Sequence, residues 1–509
     1  MSFPQYLDLT NLQALFPKDF SPSELAKAQT VFLKRLSISA HEFYGGKMRT
    51  VPKAGIYGFG WFGVWYTPGV SAVSTAIRDN NMRSYQLSNR SNLVAVVSDS
   101  TRVLGDGDCT PSGGLGVMEG KAFLMYYLGG IDAIPLCINT HTEPDSYKPG
   151  FNFNYGKHDH SASKIVDFVR MLAPSVGAVN LEDISQPNCF KVLDELQDCG
   201  VPVWHDDAQG TACVTLAGMI NAIKLAGKDW KSAKAVFYGA GASNATIVRL
   251  MLAEGLDPKN VIAFDSKGAL HTGRDDVRND TRFYRKWQIA QATNPQRVDN
   301  IIEACKGADI LCALSTPGPD VVKKEWIHAM GEKPIVFVCA NPVPEIYPHE
   351  AKEAGAFIVA TGRSDFPNQV NNSMCFPGLL KGCLLVHASR VTDGMAIAAA
   401  HSLAKAQQSH GLDTDHIMPT MDDVEVFPRE ASDVAVQAIK EGVARHNITP
   451  EEVFQKADRD IKENREIAQM LMEKEKIPTP PKSMIDNVVK DTIAEIKGQI
   501  EAIKGSADE

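Results

Sequence analysis

Short apolar runs rich in β-branched and aliphatic residues recur along the whole chain, each set off from the next by a helical pattern or a turn-rich stretch. The first half carries "NLVAVVSD" (92–99), "AIPLCINT" (133–140), "VGAVNLED" (176–183) and "VPVWHDD" (201–207). The second half carries "KAVFYGAG" (234–241), "NVIAFDSKG" (260–268), "ADILCALS" (308–315), "PIVFVCANP" (334–342) and "AFIVATG" (356–362). Stretches such as "GGLGVMEGKAFLMYYLGG" and "SASKIVDFVRMLAP" between them read as helices. This alternation predicts an α/β protein with parallel sheets and crossover helices.

At 509 residues the chain exceeds what one hydrophobic core usually serves, so two or more domains are expected. The main division is placed near residues 207–215, giving segments 1–50, 51–207, 208–440 and 441–509. The last of these is a charged helical extension broken by "PTPPK". A net charge of −9 argues against general nucleic-acid or anionic-membrane binding. The start "MSFPQYLDLTNLQ" has neither the basic end nor the apolar run of a signal peptide, and "MAIAAAHSLA" is too short to span a bilayer. Ten scattered cysteines without a CxxC pair read as reduced, buried small hydrophobes, which places the chain in the cytoplasm.

Two of the expected strands end in paired acids, Glu182 with Asp183 and Asp206 with Asp207, and a third ends in Asp99. Ligands of open α/β sheets bind beyond the carboxyl ends of strands. Carboxylates gathered there repel one another unless a cation neutralises them, and oxygen-only ligands suit Mg²⁺ or Mn²⁺. Any one acid alone reads equally as a solvated strand end or a helix cap; both pairs together favour a metal.

A second signal is "KAVFYGAGASNATIVRLMLAEG", a strand, a glycine turn and a helix, followed by "NVIAFDSKG" with Asp265 where a ribose-binding acid belongs. Gly239 permits the tight turn and Gly241 lets the backbone approach a pyrophosphate at the helix start, while Asn244 stands in the third glycine position. "WYTPGV" (65–70) and "MEGKAF" (118–123) contribute Tyr66 and Lys121, unremarkable by themselves.

Taken in order, "YTPGV", "NLVAVVSDSTRVLGDGD", "EGKAFLMYYLGGIDAIPLCINT", "VNLEDI", "HDDAQGTACVTLAGMINAIK", "GAGA", "FDSKGAL", "STPG", "ANPVPEI" and "QVNNSMCFPG" resemble the malic enzyme family from about residue 60 to about residue 400. The resemblance implies an N-terminal malic-enzyme-type α/β domain, a Rossmann-like doubly wound NAD(P)-binding domain and a helical C-terminal extension. It implies metal ligands at Glu182, Asp183 and Asp207, with Asp206 beside them and counted among the catalytic residues. The catalytic tyrosine and lysine of the family fall on Tyr66 and Lys121. Arg102, Asn341 and Asn372 match substrate-binding positions, and Gly239, Gly241, Ala242, Asp265 and Asn341 match the cofactor site.

The implied reaction is oxidative decarboxylation of malate to pyruvate and CO₂ with NAD or NADP and Mg²⁺ or Mn²⁺. In it Lys121, its pKa lowered by burial and the cation, takes the hydroxyl proton, and Tyr66 helps protonate the enol. Asp265 favours NAD by repelling a 2′-phosphate, although Ser266 and Lys267 could accommodate one. Alternatives are conversion of malate to lactate with the cofactor retained, oxidation of another 2-hydroxy acid, or a non-enzymatic nucleotide sensor on the same fold. A homo-oligomer, dimer or tetramer, is expected. His158 and His160 in "KHDHSASK" are left out of the metal site.

Overall fold

The computed structural model describes residues 4–103, 106–140 and 162–507, so His158 and His160 lie outside the described residues. The chain divides into two compact units.

The smaller unit joins the two ends of the chain, Met1–Val51 and Arg465–Glu509. Its Pro22–Tyr44 helix starts at a capping box between Ser21 and Glu24 and stops at Gly45, whose left-handed backbone closes the last turn. The helix packs on Lys482–Ala507 through Phe32, Leu36, Ile485, Val488 and Ile496. An Arg35–Glu495 ion pair at 2.7 Å flanks that contact.

The larger unit, Pro52–Asn464, holds both sheets. The first is four-stranded and parallel, in the order β2-β1-β3-β4, from β1 Leu93–Ser98, β2 Asp132–Cys137, β3 Ala178–Leu181 and β4 Val203–His205. The second is six-stranded, in the order β10-β9-β8-β5-β6-β7. Its parallel members are β5 Ala235–Tyr238, β6 Val261–Asp265, β8 Ile310–Ala313, β9 Ile335–Val338 and β10 Ile358–Thr361. The two-residue β7, Gly268–Ala269, turns back antiparallel on β6. Each apolar run of the sequence gives a strand shorter than the run, because residues at one or both of its ends stay outside the ladder. "NVIAFDSKG" contains a hairpin turn instead of a single strand.

The helix Thr211–Ala226 links the two sheets in sequence, with Ala212, Val214, Leu216, Met219, Ala222 and Ile223 all buried. Its small residues let neighbouring helices pack close on several sides, and Asn221 ties it to the Ala404 and Ile417 carbonyls at 3.1 and 2.9 Å. No helix among the described residues is long and apolar enough to cross a membrane. All ten cysteines are free thiols, and seven of them are buried.

Candidate active site

The acid pairs stand side by side because β3 and β4 pair in parallel register, Leu181 opposite His205. Glu182 and Asp183 continue from β3. Asp206 and Asp207 begin the π-helical turn Asp206–Gly210 that feeds the Thr211–Ala226 helix. Asp183 adopts a left-handed backbone, φ +54°, unusual for a residue with a side chain. In that conformation its N–H donates to Asp207 Oδ2 at 2.8 Å. One oxygen from each of Glu182, Asp183 and Asp207 lies within 4.8 Å of the others, and Glu182 and Asp183 are buried. Asn180 Nδ2 donates to Glu182 Oε2 at 3.0 Å and fixes that carboxylate.

Lys121 enters from the Leu115–Gly129 helix. Its ammonium pairs with Asp206, lies 3.1 Å from Glu182 Oε1, and donates to Asn372 Oδ1 at 3.2 Å. The Phe376 ring centroid is 4.8 Å from the same nitrogen. Burial alone would lower the lysine's pKa, as the sequence suggested, but Asp206, Glu182 and Asp207 outweigh it and raise it. Burial also pushes the Glu182 carboxyl well above its ordinary range; Lys121 counters this, and Asp207, Asp206 and Asp183 add to it. Asp206 is raised in the same way, with Lys121 as the opposing influence. One ammonium is therefore too little positive charge for four neighbouring carboxylates. An oxygen-lined nest with this excess of negative charge fits a hard dication such as Mg²⁺ or Mn²⁺.

Of the other expected site residues, Asn372 is brought to Lys121. Arg102 reaches the acid-bearing loop through its backbone, its N–H donating to the Asp183 carbonyl at 3.0 Å, while its side chain is exposed. Tyr66 is not brought to the cluster: it is 72% exposed, within a run that also exposes Tyr57, Phe59, Phe62, Val64 and Trp65. Asn341 is exposed at the end of β9, against Gly362, where a side chain would collide with its amide.

At the cofactor loop, Gly239 has φ +100°, and a Cβ there would sit 2.6 Å from the Leu314 carbonyl. Only glycine satisfies both conditions. Gly241 has open space around it and precedes Ala242, the first residue of the Ala242–Ala253 helix, so its backbone is approachable. Asn244, in the third glycine position, is buried and donates to the Tyr238 and Gly239 carbonyls at 3.2 and 2.8 Å. A side-chain clamp thus replaces close backbone packing.

Asp265 is not a lone acid. Arg274 and Lys286 both reach it at 3.2 Å, and the Lys267 N–H donates to it at 3.0 Å. Burial favours its neutral form, but the Lys267 N–H, Lys286 and Arg274 prevail and hold its pKa below the usual value. Its power to repel a 2′-phosphate is correspondingly reduced.

Two buried residues near these elements were not singled out by the sequence reading. His205 is buried, with Nδ1 3.9 Å from Asp207 Oδ2 and no hydrogen-bond partner on either ring nitrogen; burial keeps its pKa low. Glu345, inside "ANPVPEI", is fully buried and accepts the Ser315 N–H at 2.8 Å and the Ala340 N–H at 3.1 Å. It therefore ties together the chain just beyond β8 and β9. Burial pushes its pKa up to about 7.

The family models described as "Malic enzyme, N-terminal domain" and "Malic enzyme, NAD binding domain" match residues 60–197 and 208–443. The crystal structure of Entamoeba histolytica malic enzyme is 55% identical, covers 97% of this chain and 100% of its own, and superposes with a TM-score of 0.91. The bifunctional malic/malolactic enzyme of Bacillus subtilis is 38% identical over 83% of this chain and 97% of its own length. The NAD-dependent malic enzyme of Geobacillus stearothermophilus is 38% identical over 80% of this chain and 79% of its own.

Proposed function

The chain belongs to the malic enzyme family, and we propose that it oxidatively decarboxylates malate to pyruvate and CO₂ with a nicotinamide dinucleotide and a divalent cation. The observation that carries this reading is the largely enclosed Lys121, its side chain 11% exposed, touching Glu182 and Asp206 beside three carboxylates that converge within 4.8 Å.

Glu182, Asp183 and Asp207 would hold Mg²⁺ or Mn²⁺, and Gly239, Gly241, Ala242, Asp265 and Asn341 the dinucleotide. When bound, the cation supplies polarisation of the substrate's C2 oxygen and the nicotinamide supplies a hydride acceptor. With the carboxylate charge taken up by a dication, Lys121 would give up the extra proton that those acids hold on it and, as the amine positioned by Asp206 and Asn372, take the proton of the C2 hydroxyl. The 2-oxo acid that results carries its second carboxylate β to the new carbonyl, so CO₂ leaves as the C3–C4 pair passes to the enolate. Lys121 and Tyr66 together return a proton to C3. Arg102 grips a substrate carboxylate in a bidentate fork.

Tyr66 acts in this scheme within a homo-oligomer, dimer or tetramer, whose formation would take the exposed 57–66 aromatic run out of water. NAD is the favoured cofactor and NADP is tolerated, since Arg274 and Lys286 offset the charge of Asp265. The free thiols support a reducing, cytoplasmic setting. A second reading, conversion of malate to lactate with the cofactor retained, is favoured by the joint name of the Bacillus relative. Supplying malate, Mn²⁺ and either dinucleotide, then identifying the products, tests both: pyruvate, CO₂ and reduced cofactor support the first, and lactate without net reduced cofactor supports the second.

A further inference from the structure

A cleft of about 250 Å³ is lined by Asp194, Gln209, Arg249, Arg390, Thr392 and Asp393 among others. We propose that it binds a small oxyanion, a carboxylate or a phosphate, through the Arg249 guanidinium and the Gln209 amide. The cleft is smaller than a drug-sized pocket, which limits the ligand to a few heavy atoms around the charged group.

Arg249 supplies the main reason. Its Nη2 meets Asp393 Oδ1 at 3.0 Å, while the neighbouring Nε is buried with no acceptor. The Nε–Nη2 edge is the side-on fork that takes two oxygens of one anion, and here only half of it is used. A buried donor left in this state calls for an acceptor.

Gln209 supplies an independent reason. It is 3% exposed and lines the cleft. Its Oε1 is committed to the His205 N–H at 2.9 Å, and no acceptor among the described residues takes its amide Nε2. The amide therefore offers N–H donors to whatever occupies the space.

The charge balance agrees. Asp194 is already engaged by Arg285 at 2.5 Å and by the Tyr284 hydroxyl. Asp198, 3.7 Å from Arg390, is 93% exposed and screened by water. That leaves Arg249 and Arg390 against Asp393, a net positive wall. An oxyanion would compete with Asp393, itself 38% exposed and free to turn outward, for the Arg249 fork.

Titrating inorganic phosphate, and separately malonate, into the full-length, chelator-treated protein by calorimetry tests the assignment. The carboxylate nest repels anions in that state, and Lys286→Ala controls for binding near the cofactor loop. One equivalent should bind at millimolar concentration or below, and the tighter of the two anions identifies the ligand as phosphate or carboxylate. Arg249→Leu should weaken binding roughly tenfold or more, Arg390→Leu by a smaller factor, and Lys286→Ala not at all. Arg390 is 47% exposed, so its variant remains informative if Arg249→Leu fails to fold. Failure of both anions to bind wild type, or binding lost in Lys286→Ala and kept in Arg249→Leu, would overturn the proposal.

Discussion

The backbone N–H of Asp183 donates to the carboxylate of Asp207 at 2.8 Å, although 24 residues and a helix separate them. The bond forms with Asp183 in a left-handed conformation and fixes the Asp207 carboxylate against the backbone of a second expected ligand before any cation arrives. Asp207→Asn keeps the shape but removes a charge. It should raise the Mn²⁺ concentration for half-maximal rate by about tenfold or more. Asp206→Asn should leave that concentration nearly unchanged and lower kcat instead, because Asp206 holds Lys121. Equal metal dependence in the two variants would contradict this division of labour.

Chelation should abolish malate oxidation, and adding back Mg²⁺ or Mn²⁺ should restore it. Full activity in a preparation verified as metal-free would return the two acid pairs to ordinary strand ends.

Lys121→Ala should reduce turnover by at least about 100-fold, the usual scale for a lost general base. Dinucleotide affinity should persist, since Lys121 contacts carboxylates and Asn372 rather than the glycine loop. Rate and cofactor affinity measured on one sample decide it: a variant with near-normal turnover removes the lysine from the chemistry.

Asp265→Ala releases Arg274 and Lys286 from their shared acid. NAD efficiency should fall, NADP efficiency should rise, and the ratio of kcat/KM values should move toward NADP. Arg274→Ala should move the ratio the other way. An unchanged ratio in both would mean that this cluster does not read the ribose.

Glu345 gives a pH signature. Its carboxyl rises from an ordinary 4.5 to about 7 in the folded protein. The folded state therefore keeps a proton that the unfolded chain releases in this window. Stability is lost as pH rises from 4.5 to 7 and is flat above it, a change on the order of 3 kcal/mol. Glu345→Gln cannot ionise, so unfolding of wild type and variant compared at several pH values should show the difference shrinking or reversing across that window. Parallel curves would show that Glu345 is not raised.

The alternating apolar runs made the sheets legible because a buried parallel strand has few sequence disguises. The convergence of the acid pairs was legible because strands paired in parallel set their carboxyl ends side by side. Tyr66 was matched by motif, and motif says nothing about exposure, which depends on what covers the 57–66 run. The partners of Asp265 were hidden for a different reason. Arg274 and Lys286 lie 9 and 21 residues downstream, and only the hairpin and following helices fold them back. Glu345 and Asn180 look like any polar residue in a turn or strand until their hydrogen bonds are seen.

The Thr211–Ala226 helix begins where the Asp206–Gly210 turn ends and is enclosed on several sides. Any sliding of the turn would have to drag a length of packed interior with it, so the spacing of the acids is inherited from the core rather than set by a loop. Amide hydrogens in the first turns of this helix should exchange only on global unfolding, with or without metal. Remodelling the enzyme for a larger 2-hydroxy acid would therefore start from Arg102, proposed above to grip the substrate, since the acid-bearing turn has no slack to give.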